Sequence, residues 1–375
     1  MAEQAAGTTK PANGRPTSED REERILGIIE TARSKRAKFR DETVTMSHGA
    51  GGKATQSMIE GLLVPAFANE TLEAMGDAGA VSVDGTELAM TTDSFVVKPI
   101  RFPGGSIGEL AVNGTVNDLA VAGTRPVALT LSLVLEEGLS ADELRAEVDA
   151  IATAAEAAGV EIIAGDTKVV ERGAADSMYV CTTGLGQRDP RANLSPAGLR
   201  PGDKILVSGT VGDHGTAIML ARDDFELEAD VESDTCSLWP AVDALLDAAG
   251  PSLRCMRDAT RGGVASVLNE LARASTVAIV VREGDVPVNP VVAGASEILG
   301  IEPMYIANEG KLVVFVAPEA ADEALRALRG VPGCEQAAEI GEVKTEPPGM
   351  VLAETAFGGR RVMDQLVGDP LPRIC

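Results

Sequence analysis

Aromatic residues are the scarcest class in this chain: one Trp, two Tyr and seven Phe among 375 residues. So few rings exclude a stacking platform of the kind that holds single-stranded nucleic acid. There are only two histidines, and the five cysteines (Cys181, Cys236, Cys255, Cys334 and Cys375) form no C-x-x-C pair. A structural zinc centre is thereby excluded, and the odd, wide spacing reads as reduced thiols in a cytoplasm. No apolar run approaches the roughly 20 residues that span a bilayer, and no basic start followed by an apolar stretch reads as a secretory leader. Neither a membrane nor a nucleic acid is expected as a partner.

Basic charge is also short, with 33 Lys and Arg against 57 Asp and Glu, a net charge of −24. Residues 1–40 hold nine of the bases and six of the acids, so they carry +3 while the remainder carries −27. A surface that acidic repels polyanions unless a local site masks them with Mg²⁺ and a few bases. What the chain has in quantity is Gly (40 residues), Ala and aliphatic side chains, at 45% hydrophobic overall. That is the make-up of a soluble α/β protein with many tight turns, long enough for two domains that each bury a core.

Residues 1–42 are polar and charged, and read as a disordered extension with at most one marginal helix around Ile25–Ala32. From Thr43 onward, strand-like and helix-like runs alternate. Leu88–Thr92, Val127–Leu135, Glu161–Ala164 and Tyr179–Leu185 read as strands and Ile107–Ala122 as a helix. Ser140 with Glu143 makes a capping box that opens a helix to about Ala158, and Gly159 stops it. The turn-rich stretch Arg191–Asp203 separates a second α/β block. There, strands are expected at Lys204–Ser208, Val277–Arg282 and Lys311–Ala317, with helices near Ala241–Ala248 and Gly262–Ala274.

Four constellations carry chemistry. Ser47-His48-Gly49-Ala50-Gly51-Gly52-Lys53 combines three glycines, whose backbone can approach an anion closely, with a lysine suited to phosphate. It lacks the spacing and the Ser/Thr of a Walker A loop. Asp93, Asp118, Asp166 and Asp258 each sit beside small residues at strand ends or in loops, with Lys168, Arg257 and Arg261 nearby. Acids of this kind can meet as oxygen ligands for Mg²⁺. Asn308-Glu309-Gly310-Lys311 places an acid before an apolar strand, either as a base or as a surface ion pair with Lys311. Asp369-Pro370-Leu371-Pro372-Arg373-Ile374-Cys375 puts a thiol on a tip held extended by two prolines, expected to be exposed and to contribute no core.

These motifs come in a recognisable order: SHGAGGK, TTDSFVVKP, IGELAVNGTVNDLAVAG, AGDTKVV, SGTVGDHG, RDATRGG, NEGK and terminal PRIC. The order resembles the HypE family of hydrogenase maturation proteins, in the PurM-like ATP-binding superfamily, from about Thr43 to Cys375. The resemblance implies a PurM-like two-domain α/β (α+β) fold. A sheet domain over residues 43–198 would pair with a second copy as a homodimer, a second domain would span 199–346, and a C-terminal segment, 347–375, would carry Cys375 on a flexible tail. It implies ATP and Mg²⁺ as cofactors. His48, Gly49, Gly51, Gly52, Lys53, Asn117, Asp118 and Arg261 would bind the nucleotide, and Asp93, Asp118, Asp166 and Asp258 the metal. Cys375, Glu309 and Lys168 would be catalytic. The implied activity is ATP-dependent dehydration of a carbamoyl group on Cys375 to a cyano group. The implied partners are the carbamoyltransferase HypF and a HypC–HypD iron scaffold. The alternative within the superfamily is phosphorylation of an amide or carbonyl oxygen on a free small molecule, which leaves Cys375 without a purpose.

Overall fold

The computed structural model describes residues 39–222, 230–355, 357–368 and 373–375. The expected disorder and marginal helix before residue 39, and the effect of Pro370 and Pro372, lie outside the described residues.

The first half is a five-stranded sheet in the order β1-β2-β7-β5-β6. Its strands are β1 (Gly79–Val83), β2 (Thr86–Phe95), β5 (Thr124–Glu136), β6 (Glu161–Val170) and β7 (Met178–Arg188), all antiparallel to their neighbours except β5 with β6. The small ribbon β3 (Arg101–Phe102) and β4 (Gly105–Ser106) lies between β2 and the first long helix. One face of the sheet is covered by α1 (Ile107–Val121) and α2 (Ala141–Ala158), whose Val112, Val116, Ile151 and Ala155 pack with Leu129. The Ser140 hydroxyl accepts the Glu143 N–H at 3.1 Å, and Gly159 ends α2 at φ 69°, as the capping pattern predicts.

The second half is a seven-stranded sheet, β14-β13-β10-β12-β8-β11-β9. It is built from β8 (Lys204–Val207), β9 (Leu253–Asp258), β10 (Ala278–Arg282), β11 (Leu312–Val316), β12 (Ala338–Lys344), β13 (Val351–Glu354) and β14 (Arg360–Val362). The sheet therefore runs past Glu346. Its strands are buried on both faces: Ile205, Val313 and Phe315 pack with Val264 and Leu268 of α5 (Gly263–Ala274). Leu206, Val314 and Val316 pack on the other side with Val242 and Leu245 of α4 (Trp239–Ala249). Such strands read as continuous apolar runs rather than alternating ones. The shorter α3 (Asp213–Leu220) sends Ile218 and Met219 back to the first sheet's core.

Helix α1 joins the halves. It is buried almost all round, because Leu110 and Ala111 face the first core while Ala120 and Val121 pack into the second sheet's cluster. Glycines make this approach possible. A Cβ at Gly114 would stand 2.8 Å from two Phe95 ring atoms, and one at Gly108 would stand 2.6 Å from the Glu147 carbonyl. Gly108 N–H donates to the Glu147 carboxylate at 3.0 Å, which supplies an acceptor at the helix start. Gly114→Leu should therefore cost about 1–3 kcal/mol through overpacking despite its better helix propensity. Urea unfolding would measure this, and an unchanged midpoint would show that Phe95 can move aside.

Candidate active site

Three carboxylates meet where α1, the end of β9 and the turn before β1 converge. Asp77, Asp118 and Asp258 each place an oxygen within 4.8 Å of the others. Asp118 lies in the last turn of α1 and accepts the Thr91 hydroxyl of β2 at 2.8 Å. Arg257 pairs with Asp77 at 2.8 Å and with Glu270 at 3.3 Å, and its guanidinium opposes the rise of Asp77 and Asp258 without cancelling it. Burial and mutual repulsion push all three acids up, Asp77 to about 7 and Asp258 to about 6. Three hard oxygen donors that resist ionisation together fit a divalent cation such as Mg²⁺.

Two of the expected metal ligands, Asp118 and Asp258, are thus brought together. Asp93 adjoins them: its carboxylate is 3.7 Å from Arg261, and it raises the pKa of Asp118 and Asp258. Asp77 was missed, although Gly76 and Ala78 give it the same small-residue setting as the others. Asp166 is not brought there. Across the sheet, Asp93 registers with Thr182, Leu131 and Gly165, whereas Asp166 registers with Ser132 and Cys181. Alternation therefore puts Asp166 and Lys168 on the opposite, open face, where they pair with each other at 2.5 Å. Within one chain Lys168 does not approach Glu309.

Glu309 is buried, at 2% exposure, and its Oε1 has no hydrogen-bond partner. Burial and then Asp258, Asp93 and Asp234 hold its pKa well above the usual range, while Arg261 opposes them. The surface ion pair with Lys311 is not what forms: Lys311 is itself buried and pairs with Asp234 at 3.3 Å. Two asparagines brace this segment. Asn117 donates to the carbonyls of Cys236 (2.9 Å) and Glu309 (3.1 Å) and accepts from Leu238 N–H. Asn308 accepts the Gly212 N–H and donates to the Ala259 and Ile306 carbonyls. Asn117 therefore spends its side chain on protein backbone.

The Gly-rich segment lies against the same place. Gly51, at φ 73°, fits against Arg261, where a Cβ would come within 2.8 Å of the Arg261 carbonyl oxygen. Lys53 donates its N–H to Leu366 O, and its ammonium pairs with Asp364 at 2.7 Å, a half-exposed contact. His48 is buried, with Nε2 on Asp41 and Nδ1 at the Thr45 N–H, so both ring nitrogens serve the loop. Gly49 and Gly52 flank these contacts.

The terminus overturns two expectations. Ile374 is 3% exposed and packs with Phe95, Phe102, Ile107 and Ile306, and Cys375 is half-buried beside them. The tip is neither exposed nor without a share in the core. Val96 N–H donates to Cys375 O at 3.1 Å and Lys98 N–H to Arg373 O at 3.3 Å, an antiparallel step alongside the chain leaving β2. Each of its three residues offers a backbone oxygen to a donor, and that favours the inward position. The charge of Cys375 is the largest influence raising the Arg261 pKa, ahead of Asp93, Glu309 and Asp118. The tail thus ends at the acidic cleft.

Two family models match, the N-terminal domain of AIR synthase related proteins over residues 75–187 and the C-terminal domain over residues 200–352. The chain is 46% identical over 337 residues to the carbamoyl dehydratase HypE of Bradyrhizobium diazoefficiens, covering 90% of this chain and 97% of that protein. The chain belongs to the HypE family of carbamoyl dehydratases. A crystal structure of a HypE in complex with ATP matches with a TM-score of 0.74 and 44% identity, over 89% of this chain and 100% of that one. A HypE–HypF complex matches with a TM-score of 0.78 and 41% identity, over 82% of this chain and 99% of that one. The HypE family thus carries the PurM-like two-domain fold seen here.

The raised acids give a pH signature. Asp77 and Asp258 bind protons in the folded state that they release on unfolding, so without a cation stability falls as pH rises through about 6 to 7. His214, buried and lowered, acts in the opposite sense on the acid side. A comparison at each pH with and without Mg²⁺ cancels it. The thermal shift given by Mg²⁺ should grow from about pH 6 to about pH 8 and be largely lost in Asp118→Asn. A shift that is independent of pH would remove the metal from this cluster.

Proposed function

We propose that the chain converts a carbamoyl group on the thiol of Cys375 into a cyano group at the expense of ATP. The observation that carries this reading is the docked tail, which ends beside Arg261 at a cleft holding a buried carboxylate with a free oxygen. The carbamoyl oxygen attacks the γ-phosphorus of ATP, forming an O–P bond as the bond to ADP breaks. The nitrogen then loses its two protons while the C–O bond breaks and phosphate departs, leaving S–C≡N. ATP and the S-carbamoyl group give ADP, phosphate, a proton and the S-cyano group.

Glu309 is the proposed acceptor of the nitrogen's proton, because its Oε1 is buried and unengaged at the cleft where the tail ends. Arg261 steadies the phosphate and the tail. The backbone of Gly49, Gly51 and Gly52, with Lys53, would cradle phosphates. His48 and Asn117 would support these loops from behind. A Mg²⁺ ion held by Asp77, Asp118 and Asp258, with Asp93 beside them, would mask the triphosphate's charge from the acidic cleft.

HypF is the proposed donor of the carbamoyl group, on the strength of the matching complex, and an iron scaffold of the HypC–HypD kind the receiver of the cyano group. The cytoplasm is the proposed location: none of the five cysteines is in a disulfide, and among the described residues no helix is long and apolar enough to cross a membrane.

A homodimer is proposed through the sheet's open face, where Val81, Val83 and Met90 are about half exposed on the same side as Asp166 and Lys168. Lys168 and Asp166 would then serve a site only across that interface. Met90→Asp should give a monomer by light scattering, and a dimer that persists would move the interface elsewhere.

Glu309→Gln should still bind ATP and accept the carbamoyl group, while cyanation falls by about 10²–10⁴-fold. Mass spectrometry of the C-terminal peptide reads both steps. Cyanation near the normal rate would pass the base role to another group.

A further inference from the structure

We propose that the groove recognises the Arg-Ile-Cys terminus itself and not its covalent link, so that the tail of a second copy of this chain can take the place of the chain's own and be acted on in trans. The proposal rests on the dehydratase reading above and extends it to an unattached substrate. Its basis is the way the last three residues are held. Each residue of the tripeptide offers a backbone oxygen to a donor: the Cys375 terminal carboxylate accepts from Val96 N–H, the Ile374 carbonyl from His214 Nε2 at 2.6 Å, and the Arg373 carbonyl from Lys98 N–H and the Arg222 guanidinium. The first and third lie on one side and the second on the other, the alternation of an added β-strand.

Two side-chain subsites supply selectivity. Ile374 is buried in the apolar cluster that includes Phe95, Phe102, Ile107 and Ile306, and the Arg373 guanidinium pairs with Asp176. Asp176 also binds Lys98 at 2.9 Å, and the two cations hold its carboxyl down at about 2, so the subsite keeps its charge throughout the neutral range.

His214 shows that the groove is built for a ligand. Its ring is fully buried, edge-on to Phe102, and Nδ1 lies 2.8 Å from the Ser233 hydroxyl. With Nδ1 accepting from that hydroxyl, Nε2–H is left to donate to the Ile374 carbonyl. Withdrawing the tail takes that acceptor from a buried donor, which costs about as much as any unmade buried hydrogen bond. None of these contacts requires a covalent link between tail and groove. The link supplies effective concentration, on the order of millimolar for a short connection. The chemistry in trans is that of the tail in cis: the peptide's S-carbamoyl group and ATP give S-cyano peptide, ADP, phosphate and a proton.

The test uses the full-length Ile374→Asp chain, whose own tail cannot seat, and a labelled synthetic peptide Gly-Asp-Pro-Leu-Pro-Arg-Ile-Cys. Fluorescence anisotropy should show saturable binding, at least about 10-fold weaker for a peptide carrying Asp in place of Ile. Binding to the wild-type chain should also be at least about 10-fold weaker, because its own tail competes. Full-length Arg373→Glu, which repels Asp176 without touching the apolar pocket, should release its tail and bind the peptide likewise. No binding to either variant, or binding indifferent to the Ile, overturns the receptor. In the second arm, the peptide carrying an S-carbamoyl group is given to Ile374→Asp with ATP and Mg²⁺. Its conversion to the S-cyano peptide with ADP release supports the activity in trans. Bound but unconverted peptide overturns it when wild-type chain dehydrates its own carbamoylated tail in parallel. If that control also fails, it is the dehydratase reading that falls.

Discussion

Five carboxylates share one largely buried cleft: Asp77, Asp93, Asp118, Asp258 and Glu309. Among the described residues, Arg257 and Arg261 are the cations that stand against them. Like charges at this spacing in a poorly screened interior repel strongly, and the protein responds by holding protons at carboxylates that would ordinarily have lost them. Such a cluster persists only if the surrounding backbone cannot relax away from it. The rigidity comes from α1, locked between two sheets, and from Asn117 and Asn308, which fasten the Glu309 segment to its neighbours through four hydrogen bonds donated to backbone carbonyls and two accepted from the Leu238 and Gly212 N–H groups. The glycines of α1 and of the 49–52 loop allow the packing that keeps the repelling groups together.

Much of this frame is legible in the sequence. The α2 box at Ser140 and the stop at Gly159 are local chemistry, and local chemistry reads directly from residue order. The apolar runs of β8, β10 and β11 likewise announce strands buried on both faces. Position across the fold is harder. Asp77 shares the small-residue setting of the other acids, but its turn carries no motif to call attention to it. Asp166 looks like Asp93 in isolation, and only the register of β5, β6 and β7 shows that the two stand on opposite faces. A shift of one residue would reverse that, and composition holds no information about it.

The tail shows a different limit. Its prolines and terminal thiol invite the reading of an exposed tip, because a lone Ile is a weak signal of core. The apolar cluster that takes Ile374 includes Phe95, Phe102, Ile107 and Ile306, residues far apart in sequence. Burying that side chain is worth about 1.5–3 kcal/mol, enough to favour the docked position and small enough to be reversed. A thiol that, in the proposed sequence of events, is loaded on one protein and processed in another needs an attachment of that order.

Placing the reactive thiol on such a tail also answers a problem the cleft creates. A cysteine fixed inside it would face burial and five acids, both of which disfavour the thiolate. Two fixed cysteines show the effect of burial: Cys255 is pushed up to about 12, and Cys334 in the same direction. Those thiols stay protonated and inert at neutral pH. A tail that can leave lets its thiol react where no carboxylates oppose ionisation, then return once the sulfur is capped. In the cleft the sulfur then has no proton to lose, so the same acids that would suppress a thiolate no longer act on it. In the proposed reaction they would hold the cation and take protons from nitrogen. The negative cleft and the movable terminus are therefore two halves of one solution, and a substitution that fixed the tail permanently in place would hinder loading before it touched the chemistry.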